Sequence, residues 1–203
     1  MTEPAPAVIR IVDDDDSMRT ALGRLLTAAG YEVRLYASAG DFLLVEPDGA
    51  AGCLLLDVQM PGPSGLDLQQ ALLRRGSALP IVFLSAHGDV PSTVRAIKAG
   101  ASDFLCKPVE RQTLLAAIEV ALSVDATVPV GTAKGHADSA ALSERERVVL
   151  RGIVDGRLNK QICAELGLSE RTIKTCRAEV MRKLGARSLA ALVQLAPKVL
   201  PPR

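Results

Sequence analysis

Five short apolar runs stand out in the first 122 residues, at 8–12, 33–36, 53–56, 81–84 and 104–105. Each has the length and near-continuous hydrophobicity of a strand buried on both faces. Between and after them, apolar residues return every three or four positions: Met18, Leu22, Leu25 and Leu26; Leu66, Leu68, Leu72 and Leu73; Val94 and Ile97; Leu114, Leu115, Ile118 and Leu122. That spacing predicts helices. Strands alternating with helices require right-handed crossovers, so the pattern predicts an α/β domain with a doubly wound, five-stranded parallel sheet. Ligands of such sheets gather at the carboxyl ends of the strands.

The pattern changes after residue 123. Residues 124–140 carry Pro129, Gly131 and Gly135 among small and polar residues, with no sustained apolar period, and read as a linker between domains at 1–123 and 141–203. The last part is wholly helical. It opens with Ser143-Glu144-Arg145-Glu146, a capping box in which Ser143 and Glu146 each satisfy the other's free amide. Further helices are predicted over 159–166, 170–184 and 189–196, the last two with Ser169 and Ser188 as N-caps.

Charge divides the chain at the same place. The formal sum is −5 over residues 1–122, −1 over 123–140 and +7 over 141–203. An acidic front and a basic tail direct any polyanionic partner to the tail alone, because phosphate neutralisation needs clustered Lys and Arg. Cys53, Cys106, Cys163 and Cys176 form no C-x-x-C pair and lie in apolar patterns, so buried thiols in a reducing cytoplasm are expected rather than a disulfide framework or zinc module. The first ten residues lack a signal pattern, and no apolar run approaches the ~18 residues of a membrane helix.

Asp13, Asp14, Asp15 and Asp16 follow the first strand, and Asp57 follows the third. Carboxylates crowded at one sheet edge repel each other, and a hard divalent cation relieves the repulsion; Mg²⁺ suits two or three carboxylates plus water and a phosphoryl oxygen. Ser85 and Lys107 end the fourth and fifth runs at the same edge. A carboxylate nucleophile, a metal, a hydroxyl and an ammonium are what phosphoryl transfer to a carboxylate requires. Asp15 and Asp16 suit the start of the next helix, where negative charge complements the dipole.

Ile11-Val12-Asp13-Asp14, Leu56-Asp57, Met60-Pro61, Ser85-Ala86 and Lys107-Pro108 occur in the order found in the receiver domain of two-component response regulators, which the front of this chain resembles. The resemblance implies a flavodoxin-like receiver fold and assigns roles. Asp57 is implied as phosphoacceptor, Asp13, Asp14 and Asp57 as metal ligands with the main-chain carbonyl of Gln59, and Lys107 as the phosphate-pairing cation. Ser85 is implied as the hydroxyl that captures a phosphoryl oxygen, and Phe104 as the switch aromatic, where plain core is the alternative. Val109 departs from the Phe common after the Lys-Pro pair. His87 and His136 read as solvated loop histidines.

Leu142-Ser143-Glu144-Arg145-Glu146, Gly156, Asn159-Lys160-Gln161-Ile162, Leu168-Ser169, Thr172-Ile173-Lys174 and Met181-Arg182-Lys183-Leu184 resemble the LuxR-type helix-turn-helix of the NarL/FixJ subfamily. Cys176 departs from the family's usual His. At ~100° per residue, Ile173, Cys176, Val180 and Leu184 share one side of the recognition helix, and Arg171, Lys174, Thr175, Ala178 and Arg182 the other. Lys174 and Thr175 are the candidates for base readout, with Lys160, Arg171 and Thr172 on phosphates; Arg177 lies nearer the apolar side.

These readings together describe a phosphorylation-activated DNA-binding transcriptional regulator. Its expected partners are a sensor histidine kinase, double-stranded DNA and, when phosphorylated, a second copy of itself. By resemblance, the surface that changes is the helix at 90–99 with the strand and helix after it. Two other readings compete: a constitutive DNA-binding protein with a non-switching receiver, and an Asp-dependent phosphohydrolase. The latter typically resembles D-x-D chemistry after the first strand, whereas the nucleophile here follows the third.

Overall fold

The structure is a computed structural model that describes residues 7–45, 50–86, 90–123, 142–186 and 188–200. His87 and the 124–140 linker, with His136, lie outside the described residues. The chain divides into two compact units, residues 1–87 with 99–128, and residues 88–98 with 129–203.

The first unit is built on strands β1 (Val8–Val12), β2 (Glu32–Tyr36), β3 (Gly52–Asp57), β4 (Ile81–Ser85) and β5 (Asp103–Cys106). All pair in parallel, in the order β2-β1-β3-β4-β5, the doubly wound topology expected. Side chains alternate across the sheet. Ile9, Ile11, Cys53, Leu55, Val82, Leu84 and Leu105 pack with Leu22 and Leu26 of helix α1 (Asp16–Ala28) and with Leu114 and Ile118 of α5 (Arg111–Ser123). The alternate positions, Arg10, Leu54, Leu56 and Phe83, therefore face the other side, where α3 (Gly65–Arg74) lies in the chain between β3 and β4.

Helix α2 (Ala39–Leu44) was not foreseen, since six residues are too few to display a period. Ser38 caps it by accepting from the Asp41 amide at 3.0 Å. Asp15 caps α1 in the same way, accepting from the amides of Ser17 and Met18. The four cysteines correct an expectation. Only Cys53 is buried; Cys163 and Cys176 are half-buried, and Cys106 is exposed because it closes β5 at the sheet edge.

The second unit holds α4 (Val90–Lys98), α6 (Glu144–Val154), α7 (Asn159–Leu166), α8 (Glu170–Leu184) and α9 (Leu189–Val199). The Ser143 capping box is present: the Ser143 amide donates to Glu146 at 2.7 Å, and the Glu146 amide to Ser143 Oγ at 3.3 Å. Ser169 and Ser188 cap α8 and α9 as expected. Helix α9 outruns its predicted end at 196 and includes Pro197. A proline near a helix end forfeits one hydrogen bond, and here burial of Ala196 and Val199 favours completing the turn.

Candidate phosphoacceptor site and nucleic-acid interface

Asp57 closes β3 and Ser85 closes β4, so both stand at the carboxyl edge, where Asp13 follows β1. Asp13, Asp57 and Ser85 are buried, and Asp14 is exposed. One carboxylate oxygen from each of Asp13, Asp14 and Asp57 lies within 4.8 Å of the others. Such a set of hard oxygen donors suits a hard divalent cation.

The backbone shapes this site closely. Asp13 accepts from the Asp15 amide at 3.0 Å and Asp57 from the Gln59 amide at 3.2 Å, which orients one oxygen of each carboxylate. Lys107 Nζ donates to the other oxygens, Oδ2 of Asp13 and Oδ2 of Asp57, each at 2.7 Å. Burial pushes the Lys107 ammonium pKa down, but bonds to Asp13 and Asp57 outweigh it and hold the pKa above its ordinary value. The Lys107 amide also donates to the Ser85 carbonyl at 2.7 Å, so β4 and β5 deliver their groups to one place. Phe104 is buried against Phe83, ring centroids 5.9 Å apart.

Two contributors to this edge were missed from the sequence. Arg19 donates to the Asp13 carbonyl at 2.7 Å and pairs with Asp16 at 2.6 Å, which ties the first turn of α1 to the acidic loop. The i, i+3 spacing to Asp16 was the available signal. Gly65 is the other. Its amide donates to the Val58 carbonyl at 3.0 Å, and a Cβ there would stand 2.1 Å from the Asp57 carbonyl oxygen. Glycine alone lets α3 start this close to the Asp57 backbone.

In the helical unit, Arg171, Lys174, Thr175, Ala178 and Arg182 are exposed on α8, and Ile173, Val180 and Leu184 are buried. Lys160 is exposed on the first turn of α7. Thr172 is half-buried, its hydroxyl 2.8 Å from that of Ser169. The Thr175 hydroxyl donates to the Arg171 carbonyl at 3.1 Å. Arg177 turns inward and donates to Asn159 Oδ1 at 3.2 Å, linking α8 to the start of α7; burial lowers its pKa.

The response regulator receiver domain family matches residues 9–119, and the luxR family of bacterial regulatory proteins matches 140–196. Nodulation protein W of Bradyrhizobium diazoefficiens is 43% identical over 194 residues, 93% of this chain and 85% of that protein. The transcriptional regulatory protein FixJ of Azorhizobium caulinodans is 40% identical over 201 residues, 95% and 93%. The chain is a response regulator of the NarL/FixJ type. Among solved structures, response regulator StyR is 45% identical with a TM-score of 0.57, over 96% of this chain and 100% of that one. Full-length FixJ from B. japonicum is 40% identical with a TM-score of 0.55, over 98% of each chain. The regulator thus joins a receiver to a LuxR-type DNA-binding domain, in a family of transcription regulators. Among its described residues no helix is long and apolar enough to cross a membrane.

Proposed function

We propose that this regulator is switched by transfer of a phosphoryl group from a sensor histidine kinase to Asp57, and that the phosphorylated form binds double-stranded DNA more tightly. The observation that carries the reading is the setting of Asp57: a buried carboxylate at a strand end, 2.7 Å from an ammonium and clustered with Asp13 and Asp14. In the transfer, the phosphorus–nitrogen bond of the phosphohistidine breaks and a phosphorus–oxygen bond to Asp57 forms. Lys107 pairs with the incoming oxygens, and Ser85, in the same layer, supplies a hydroxyl donor. Asp13, Asp14 and Asp57, with the Gln59 carbonyl, would hold Mg²⁺, which neutralises phosphoryl charge when bound.

Phosphorylation adds about 1.5 to 2 negative charges at this edge. Drawing Ser85 inward gives Phe104 a new place to pack, and the altered surface along α4, β5 and α5 dimerises the receiver or frees the DNA-binding domain. Lys174 and Thr175 read bases while Lys160, Arg171 and Thr172 hold phosphates. A DNA target sets this work in the cytoplasm. The test is acetyl phosphate with Mg²⁺, followed by a DNA titration of wild type and Asp57→Asn. Wild type should be labelled, dimerise and gain DNA affinity, and Asp57→Asn should do none of these. Equal DNA affinity of the two proteins with and without phosphodonor would make the regulator a constitutive binder.

A further inference from the structure

Arg19, on the first turn of α1, touches the acidic loop at three points. Its amide donates to the Asp15 carbonyl at 2.9 Å, as any residue there could. Its side chain supplies the other two: Nη1 donates to the Asp13 carbonyl at 2.7 Å and Nη2 to Asp16 Oδ1 at 2.6 Å. These acceptors lie on either side of Asp14 in the chain. A planar guanidinium meets both at once because its donors are fixed in a fork, whereas an ammonium has a single donor atom.

The Arg19 side chain is 13% exposed and that of Asp16 87%, so the guanidinium is the buried end of the pair. Asp13 is held at every other polar atom. Its amide donates to the Tyr36 carbonyl at 3.3 Å, Oδ1 accepts from the Asp15 amide at 3.0 Å, and Oδ2 accepts from Lys107 at 2.7 Å. Arg19 on the carbonyl completes the set. Asp15, on the far side, is fixed as the N-cap of α1. Asp14 between them is exposed, and no hydrogen bond among the described residues holds it. Its place beside Asp13 and Asp57 is inherited from its neighbours.

Charge and geometry pull in opposite directions here. A cation next to the cluster repels a divalent ion, so Coulomb interaction alone has Arg19 weaken binding. A carboxylate already in place loses little freedom when the ion arrives, and groups behind metal ligands typically change affinity by about 10–100-fold. Pairing with Asp16 offsets much of the first effect and leaves the second intact.

We propose that Arg19 is a positioning residue for Mg²⁺: by holding the Asp13 carbonyl and the Asp16 carboxylate, it presents Asp14 to the ion at a fixed place. The role rests on the reading of Asp13, Asp14 and Asp57 as the Mg²⁺ site.

The experiment titrates the full-length protein with Mg²⁺ and follows the backbone amide resonances of Asp14 and Gln59, which should shift saturably in wild type. Arg19→Met keeps the apolar stem and should bind Mg²⁺ about tenfold more weakly. Arg24→Met removes the same charge from an exposed position on the same helix and should bind as wild type does. Arg19→Lys, with the charge but not the fork, should recover only part of the loss. In acetyl phosphate labelling of Arg19→Met, the Mg²⁺ concentration at half-maximal rate should rise by the same factor, while the rate at saturating Mg²⁺ matches wild type; a merely loosened fold would not give that split. Thermal melts identify the folded variants. If Arg19→Met is not among them, Arg19→Lys decides alone, by binding Mg²⁺ more weakly than wild type. Two outcomes overturn the role: a folded deciding variant that binds Mg²⁺ as tightly as wild type or more tightly, or labelling that stays slow at saturating Mg²⁺ with the half-maximal concentration unmoved. A wild type without saturable shifts would instead remove the Mg²⁺ site, and this role with it, before any variant enters the comparison.

Discussion

Lys107 Nζ stands between two carboxylates, 2.7 Å from Oδ2 of Asp13 and 2.7 Å from Oδ2 of Asp57. The lysine side chain is 13% exposed, and the two aspartates are 1% and 10% exposed, so solvent screens the three charges weakly. One ammonium holds together two groups that would otherwise repel each other.

Replacing Lys107 by Met should cost the receiver about 2–3 kcal/mol at pH 8 in EDTA, the scale of losing hydrogen bonds to charged groups. The folded-state pKa of Lys107 lies above its ordinary value. Its contribution is therefore complete below about pH 10.4 and is lost as pH rises through that folded pKa. Denaturation of wild type and Lys107→Met should differ at pH 8 and converge in strong alkali, and Mg²⁺ should narrow the gap at pH 8 by neutralising the same carboxylates. A constant gap from pH 8 into strong alkali would remove the ammonium as its cause.

Gly65→Ala should destabilise the receiver by about 1–3 kcal/mol, the usual cost of overpacking. The new methyl meets the Asp57 carbonyl oxygen at 2.1 Å and Leu56 Cγ at 3.0 Å, so either the end of β3 or the start of α3 must move. Asp57 moves with it, and acetyl phosphate labelling should slow. Gly40→Ala in α2 is the matched control, because its Cβ meets only Ser38 Oγ at 3.5 Å. Melting temperatures and labelling rates of the two variants decide the matter; equal values would mean that the close approach carries no constraint.

Glu146 joins two helices of the DNA-binding domain. It accepts from Lys183 of α8 at 2.8 Å and from the Ser143 amide at 2.7 Å, bonds that hold its carboxyl below the usual range. A depressed carboxyl pKa gives stability above about pH 4.3 that is lost as pH falls through the folded pKa. Glu146→Gln should lose about 1–2 kcal/mol at pH 7, with the deficit shrinking toward zero in acid. A urea melt at pH 7 and another near pH 3 measure both ends of that window.

On DNA, Lys174→Ala should relax the preference at one base of each half-site by about 1–3 kcal/mol. Lys160→Ala should weaken all sequences alike and lower the salt slope by about one. Binding titrations at several salt concentrations, on specific and scrambled sites, separate the two effects. If Lys160→Ala alters base preference and Lys174→Ala does not, the roles of the two helices are reversed.

The receiver's order of strands and helices and its acidic edge were legible because each strand-end group lies within two residues of an apolar run, as Asp57 does after Leu56. Helices α7 and α8 were legible to the residue, since Ser169 caps the start of α8 and glycine ends both; Gly167 and Gly185 adopt the left-handed conformation that ends a helix, with φ of 64° and 65°. Helix α2 was hidden by its shortness. Gly65 was hidden because its constraint is a distance to another strand's backbone, which no local pattern encodes. The exposure of Cys106 was hidden by its apolar neighbours, whose burial stops one residue short of it.

A hydroxyl carries a single proton, and at Thr175 that proton is already engaged by the Arg171 carbonyl. In the base contact proposed for it, the side chain would then turn lone pairs and a methyl group toward the major groove. It would accept from the amino groups of adenine or cytosine, or rest against the methyl of thymine, but would have nothing to give the two acceptors of guanine. On that proposal the alphabet at this position is three letters wide, and selection for guanine would pass to its neighbour Lys174, whose ammonium has only donors.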